Sequence, residues 1–222
     1  KIIVIVKAMS EKKPFYPVFT NKKNNKLVFY PVKKNANSSA KLFFAKHLGI
    51  EDKFYFLEDE KPRYLLSRRD YKKYSQKHNL MQFFVNNSKF ERVNIEIKAC
   101  IIRNPVKRFL SAYKNRILYH KDKEFYNHSI DIILDKLEKN LFENRHFLPQ
   151  TFFLGNDLSY YTFWSDVNNL ELFEEKVNNF FGKKIKFPKI QTGGHEFKVN
   201  LNYLQLERVK KIYQSDYHLI SQ

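Results

Sequence analysis

The chain has 222 residues, with 41 Lys and Arg against 23 Asp and Glu, which gives a formal net charge of +18. This length suits one α/β domain of moderate size, and the 43% hydrophobic and 17% aromatic content excludes a disordered chain. The single cysteine, Cys100, excludes an internal disulfide framework and a multi-cysteine zinc site, and five glycines disfavour a glycine-rich phosphate loop of the Walker or Rossmann kind.

The first part of the chain is predicted to form strands. Residues 2–6 have the length and apolar character of a short strand, and residues 15–19 have β character that Pro17 weakens. The stronger strand candidate covers residues 27–32 and follows a polar turn over 21–25.

A polar loop over residues 33–39 follows this strand and leads into a predicted helix over 40–48. Gly49 is a suitable residue to end the helix. The loop therefore joins the carboxyl end of a strand to the start of a helix, which is where open α/β sheets bind ligands.

Further along, residues 93–102 alternate between apolar and polar and become wholly apolar over 99–102, which predicts a buried parallel strand. Asn104 then suits a helix N-cap and Pro105 the first helical turn. Helical patterns cover residues 67–78, 80–85, 106–117, 130–142, 170–181 and 201–217. Strands that alternate with helices predict an α/β fold, with a central, mostly parallel sheet flanked by helices. We assign residues 1–222 to a single domain, in which 1–26 form an N-terminal strand and lead-in.

Two segments carry groups that suit an anion. In the first, Lys34 and the pair Ser38-Ser39 precede a helix, whose first turn offers backbone N–H groups and the positive end of the helix dipole. The alternative is an ordinary N-cap by Ser38 or Ser39 beside a solvated lysine pair.

In the second segment, Arg103 ends the buried strand and Ser111 lies about two helical turns further on. Arg108 and Ser111 are three positions apart and share a helix face. An arginine fork and a serine hydroxyl suit a phosphate monoester. The alternative is a surface arginine beside an unrelated helix serine.

Four stretches form a combination that is more specific than any one of them: Lys34-Asn35-Ala36-Asn37-Ser38-Ser39; Arg103-Asn104-Pro105 with Arg108, Ser111 and Tyr113; His146-Phe147-Leu148-Pro149-Gln150; and Tyr213-Gln214-Ser215-Asp216-Tyr217. Together and in this order they resemble the carbohydrate sulfotransferases of the sulfotransferase family 2 type. The resemblance extends over roughly residues 27–218.

The resemblance implies a P-loop-NTPase-like sulfotransferase fold and transfer of a sulfuryl group from 3′-phosphoadenosine 5′-phosphosulfate (PAPS) to a hydroxyl acceptor. The acceptor is expected to be a glycan, adenosine 3′,5′-bisphosphate is the released product, and no metal is needed. The 5′ phosphosulfate would lie on the loop, at Lys33, Lys34, Asn35, Ala36, Asn37, Ser38 and Ser39. Arg103 and Ser111 would bind the 3′ phosphate, with Lys198 in a late loop as a further contact.

The resemblance leaves the choice of catalytic lysine open. The family often has proline directly before its lysine, and here Lys33 occupies that position. We prefer Lys34, because it keeps the family's spacing to Ala36 and Ser38. In this role Lys34 would stabilise negative charge on the leaving phosphate oxygen.

The acceptor hydroxyl needs a general base, and His146 is our candidate. It follows a predicted helix and precedes Phe147 and Pro149, which suit an acceptor cleft. A partly buried histidine that stabilises a loop is the alternative. His78 is the rival base, because some family members have a catalytic histidine in that region.

The positive charge permits other partners. A basic nucleic-acid-binding module is the main alternative, although zinc-finger, RNP-like and zipper patterns are absent from the sequence. A nucleotide phosphotransferase lacks its Walker loop. An AT-rich genome is another explanation for the high lysine content, since Lys, Asn, Ile, Phe and Tyr all have AT-rich codons.

The chain begins at Lys1 rather than Met. An upstream anchor or signal is therefore left open. One cysteine is consistent with a reducing cytosol, and the expected location is the cytoplasm or a membrane surface.

Overall fold

The computed structural model describes residues 16–51, 95–141, 144–190 and 193–222, and the backbone of 55–58 and 61–64. The strand predicted over 2–6, the helices predicted over 67–78 and 80–85, and His78 lie outside these ranges. Among the helices within them, none combines the length and apolar character that a bilayer crossing requires.

The described strands form one larger and one smaller sheet. The larger has the order β1 (Val18–Thr20), β2 (Lys26–Tyr30), β5 (Ile97–Ile102) and β6 (Phe163–Asp166). In it β2, β5 and β6 are parallel, and β1 pairs with β2 in the antiparallel sense. The smaller sheet is the antiparallel pair β3 (Tyr55–Glu58) and β4 (Lys61–Tyr64). The predicted α/β fold with a mostly parallel sheet is confirmed.

The helices of the described ranges are α1 (Asn37–Leu48), α2 (Pro105–Tyr113), α3 (Ile130–Glu138), α4 (Gln150–Leu154), α5 (Glu171–Phe181), α6 (Tyr203–Ile212) and α7 (Gln214–Ile220). A π-helical segment, Lys114–Tyr119, continues α2, and Leu158–Tyr160 forms a 3₁₀ turn. The helix predicted over 201–217 is divided at Tyr213, whose φ of −104° and ψ of 27° leave the helical region.

The sheet is covered by apolar side chains on both faces, because successive residues of a strand point to opposite sides. On one face, Phe29 and Ile101 belong to the cluster that includes side chains of α1 and α5. On the other face, Tyr30 and Cys100 belong to the cluster with side chains of α4 and α7. A third cluster joins α2, α3 and α6.

Two predicted helix ends are confirmed. The Asn104 side chain accepts a hydrogen bond of 3.1 Å from the Lys107 backbone N–H, and Pro105 is the first residue of α2. Helix α1 ends at Gly49, whose φ of 66° is in the left-handed region that glycine favours. These two caps fix where α1 stops and where α2 starts.

The adjacent glycines 193 and 194 lie against the π-helical segment. Asn115 donates a side-chain hydrogen bond of 3.2 Å to the Gly193 carbonyl oxygen. A Cβ atom on Gly194 would lie 2.8 Å from the Lys114 carbonyl oxygen, and Gly194 has a φ of +87°. The loop that leads to Lys198 therefore requires glycine at this position.

We expect Gly194→Ala to lower the free energy of unfolding by about 2–4 kcal/mol, because backbone strain and steric overlap add together. Denaturant unfolding measures this loss. Gly182→Ala is the matched control, since Gly182 has a φ of +66° but no atom within 4 Å of the added Cβ. Equal losses in the two variants would contradict the close approach as the cause.

Candidate active site

The two predicted anion-binding segments meet at one edge of the sheet. Strands β2 and β5 are parallel neighbours, so the residues that follow them lie side by side. Arg103 Nη1 donates a hydrogen bond of 2.8 Å to the Lys34 carbonyl oxygen. The Gln150 amide connects to the same strand end, as its Nε2 donates to the Arg103 carbonyl oxygen at 2.8 Å and its Oε1 accepts from the Arg103 N–H at 2.9 Å.

The loop after β2 reaches α1 through left-handed backbone. Lys34 has a φ of 70° and Ala36 a φ of 51°, values that non-glycine residues seldom adopt. Asn35 fixes the turn between them, since its fully buried side chain donates to the Ile101 carbonyl oxygen at 2.8 Å and to Gln150 Oε1. Successive backbone N–H groups in such a turn form a concave site for an anion.

Helix α1 begins at Asn37, three residues before its predicted start, and its N-cap is Ala36. Capping by Ser38 or Ser39 is therefore wrong as an alternative. Ala36 has no side-chain oxygen, so no side chain caps this helix. The N–H groups of a first helical turn have no acceptor within the helix. Here they remain available to a bound anion.

The predicted loop residues are used in different ways. Ser39 is buried, and its Oγ accepts a hydrogen bond of 3.1 Å from the Ile190 N–H. Asn37 and Ser38 are half-buried in the first turn of α1, where Asn37 Oδ1 is buried without a hydrogen-bond partner. Ser111 is half-buried on α2, and Lys198 is exposed. The structure thus brings the loop and Arg103 together.

Cations are concentrated around this loop. Burial, with Arg103 and Arg116 nearby, lowers the pKa of Lys34 to about 7. Burial also lowers the pKa of Lys33, with contributions from Arg145 and Arg116. The pKa of Lys41 falls to about 8 through burial and the charge of Lys33. A bound anion would offset this mutual repulsion.

His146 lies beside the same cations. Its Nδ1 is 2.7 Å from Asn144 Oδ1. Burial, followed by the charges of Lys33 and Arg116, lowers the pKa of His146 to about 2. The imidazole is therefore neutral at physiological pH, as a general base must be before it accepts a proton.

A family model described as the sulfotransferase family matches residues 17–220, nearly the whole chain. The chain belongs to the sulfotransferase family. No match was found among curated proteins or among solved structures. Family membership supports sulfuryl transfer as the general activity, and the architecture above agrees with the sulfotransferase fold.

In this sulfotransferase Arg108 does not have the phosphate-binding position that its spacing to Ser111 predicts. Its side chain is fully buried, and its Nε donates to the Lys33 carbonyl oxygen at 3.1 Å. Its Nη2 donates to the carbonyl oxygens of His146 and Leu148. The prediction for Arg108 is wrong, because the guanidinium is buried and its hydrogen bonds connect Lys33 with the segment from His146 to Leu148.

The C-terminal stretch of the sulfotransferase completes this buried network. Tyr213 Oη donates to the Phe147 carbonyl oxygen at 2.8 Å, and Asp216 Oδ1 accepts from the Thr151 N–H at 3.0 Å. Asp216 Oδ2 lies 4.0 Å from Arg108 Nη1. The loop after β2, the segment around Phe147 and the C-terminal stretch are thus joined by one network of buried polar contacts next to the site.

Two polar residues near the site are missed by sequence reasoning. Arg116 lies on the π-helical segment, and its charge contributes to the lowered pKa values of Lys34 and His146. Asn144 precedes His146 by two residues, and its Oδ1 accepts the His146 backbone N–H at 3.0 Å. This Asx turn is a local pattern that the sequence alone could have suggested.

Two other features bear on cofactor chemistry. Among the residues with described positions, no group of three or more His, Cys, Asp and Glu could ligate a metal ion. Trp164 is half-buried on β6 and packs against the cluster around Tyr30 and Cys100.

Proposed function

We propose that this protein transfers a sulfuryl group from PAPS to an acceptor hydroxyl, with a glycan as the acceptor class. One observation carries the proposal. An uncapped helix start follows two left-handed residues at the end of β2, and Arg103 extends from the neighbouring strand end to the same loop. Two adjacent cationic segments suit a donor that bears phosphate at both its 5′ and 3′ positions.

The polar atoms around this loop fit such a donor. Arg103 Nε is buried without a hydrogen-bond partner. Lys33 and Lys34 lie among arginines, and their lowered pKa values reflect burial and repulsion between like charges. An anion beside these groups would satisfy the unpaired donor and reduce the repulsion.

Each residue has a distinct role in the proposed reaction. When bound, PAPS supplies a sulfuryl group whose bond to a phosphate oxygen breaks. Lys34 and the first N–H groups of α1 stabilise the negative charge on that oxygen. Arg103 and Ser111 bind the 3′ phosphate, and Lys198 adds a contact from its exposed loop. His146 removes the proton of the acceptor hydroxyl.

Labelled PAPS with a panel of glycan acceptors tests the activity, and titration with adenosine 3′,5′-bisphosphate tests the site. Arg103→Ala should weaken nucleotide binding about 10- to 100-fold, because a hydrogen bond to a charged group contributes about 1.5–3 kcal/mol. Lys107→Ala is the matched control, since Lys107 is an exposed cation on α2. Equal affinities of wild type and Arg103→Ala would contradict the site assignment.

Titrations with PAPS, ATP and DNA, each at two salt concentrations, distinguish the competing functions. A nucleic-acid-binding module predicts an affinity for DNA that falls steeply with salt. A phosphotransferase predicts that ATP binds in preference to PAPS.

Nucleotide binding is expected to take up a proton at pH 8. The pKa of Lys34 is about 7 in the free protein, so in most molecules the Lys34 side chain is neutral at pH 8. A bound phosphate favours the ammonium form, and affinity therefore falls as pH rises above 7. Calorimetry in buffers of different ionisation enthalpy measures the uptake.

The control for this proton uptake is Lys34→Arg, because an arginine side chain stays charged. The variant should retain binding and take up fewer protons. Lys41 contributes the remainder, since its pKa is about 8. Undiminished uptake in Lys34→Arg would show that another group is the source.

A further inference from the structure

A chain of hydrogen bonds connects the π-helical segment to His146. Arg116 donates from Nε to Asp122 Oδ2 at 2.6 Å and from Nη2 to Asp122 Oδ1. Asn144 Nδ2 donates to Asp122 Oδ2 at 3.0 Å. Asn144 Oδ1 lies 3.0 Å from the His146 backbone nitrogen and 2.7 Å from His146 Nδ1. Asn144 is thus the link between a paired carboxylate and the imidazole.

The neighbours of Asn144 fix the direction of its amide. An ionised carboxylate only accepts hydrogen bonds, so the NH₂ group must face Asp122. The backbone N–H of His146 only donates, so the amide oxygen must face His146. Because this oxygen also lies within hydrogen-bond distance of Nδ1, Nδ1 carries the ring proton. In a neutral imidazole Nε2 then carries the lone pair.

We propose that Asn144 is a positioning residue that fixes His146 in the Nδ1–H tautomer, so that Nε2 is the proton acceptor in sulfuryl transfer. This inference rests on the proposed function. In that step the hydroxyl proton passes to Nε2, the hydroxyl oxygen bonds to sulfur, and the phosphate leaves with the electron pair of the broken S–O bond.

The surroundings explain why a neutral amide suits this position. The pair formed by Arg116 and Asp122 neutralises its own charge and orients Asn144. Asn144 is only 9% exposed, so solvent competes little for its amide oxygen. A neutral acceptor on Nδ1 fixes the tautomer without the strong stabilisation of imidazolium that a carboxylate would provide.

Nitrogen-15 NMR of the imidazole rings tests the tautomer without any enzymatic assay. We expect the wild-type protein at pH 7 to show His146 with a protonated Nδ1 and an unprotonated Nε2. The signal is assigned by its loss in His146→Gln. A ring with the proton on Nε2 would overturn the inference, whatever reaction the protein catalyses.

Kinetics of Asn144 variants test the consequence. Asn144→Ala should lower kcat about 10- to 100-fold, in the range found when a residue that orients a functional histidine is lost. KM for PAPS and the affinity for adenosine 3′,5′-bisphosphate should change less than twofold. Asn144→Asp is a different test, because its carboxylate would lie against Asp122 and beside the imidazole. It should raise the pKa of His146 and lower kcat.

The outcomes separate this inference from the proposed function. Equal losses of kcat and nucleotide affinity in Asn144→Ala would indicate a purely structural role and overturn the positioning role. A wild-type His146 ring protonated on Nε2 would overturn it as well, even if Asn144→Ala does not fold. Absence of transfer in the wild type, together with the Nδ1–H signal, would contradict the proposed function and support the tautomer.

Discussion

Replacing Lys34 with methionine is expected to lower the rate of sulfuryl transfer by about 10²–10³-fold, the range for loss of one group that stabilises charge in the transition state. Methionine retains the apolar stem of the side chain and removes the ammonium group. Affinity for the product nucleotide should fall less, because the first N–H groups of α1 and Arg103 remain. Single-turnover transfer from labelled PAPS measures the rate.

Lys33→Met is the matched control, since Lys33 is adjacent, half-buried and has the same side chain. The Lys33 carbonyl oxygen accepts a hydrogen bond from Arg108, and the Lys34 carbonyl oxygen accepts one from Arg103. The backbone of each lysine is therefore held by an arginine side chain. Of the two lysines, Lys34 is the one with left-handed backbone, at the start of the turn before α1. A larger rate loss in Lys33→Met would assign the catalytic role to Lys33.

The low glycine content predicts the sequence type of the loop but not its backbone conformation. It correctly disfavours a Walker sequence, yet the loop uses the left-handed conformations that glycine normally supplies. Lys34 and Ala36 adopt them instead, at a cost of about 1–3 kcal/mol each. The buried hydrogen bonds of Asn35 to Ile101 and Gln150 oppose this strain. These long-range contacts are absent from local sequence patterns, so the true start of α1 could not be predicted.

Strand ends and helix caps could be predicted because they depend on nearby residues. The apolar run before Arg103 and the pair Asn104-Pro105 locate the end of β5 and the start of α2. Strand β6 could not be predicted from its four residues, because Phe163–Asp166 becomes a strand by pairing with β5. Propensity in so short a segment is weaker than the hydrogen bonds of its partner strand.

Arg108 illustrates the limit of spacing arguments. Helical spacing correctly places it near Ser111 on α2, but spacing does not tell whether that face meets solvent or protein. Burial lowers the pKa of Arg108, while Tyr213 and Asp216 oppose that shift. Removing one partner from such a buried charge pair is generally destabilising. The stretches that carry the family resemblance therefore include residues that support the site as well as residues that line it.

Replacing His146 with glutamine is expected to lower the transfer rate by about 10²–10⁴-fold, the usual contribution of a general base. Glutamine remains polar but does not accept a proton at neutral pH. Affinity for adenosine 3′,5′-bisphosphate should change less than twofold, because the proposed role of His146 is toward the acceptor hydroxyl and not toward the nucleotide. Rate and affinity measured on the same preparation separate these two effects.

The charge around His146 links the proposed donor to the proposed base. Before the donor binds, burial and the charges of Lys33 and Arg116 keep the pKa of His146 near 2. In the proposed reaction, an anionic donor beside those cations would raise the pKa of His146 and make the imidazole a stronger base. His78→Gln, a change at the rival histidine, should leave the rate unchanged. A rate lost in His78→Gln and retained in His146→Gln would make His78 the base.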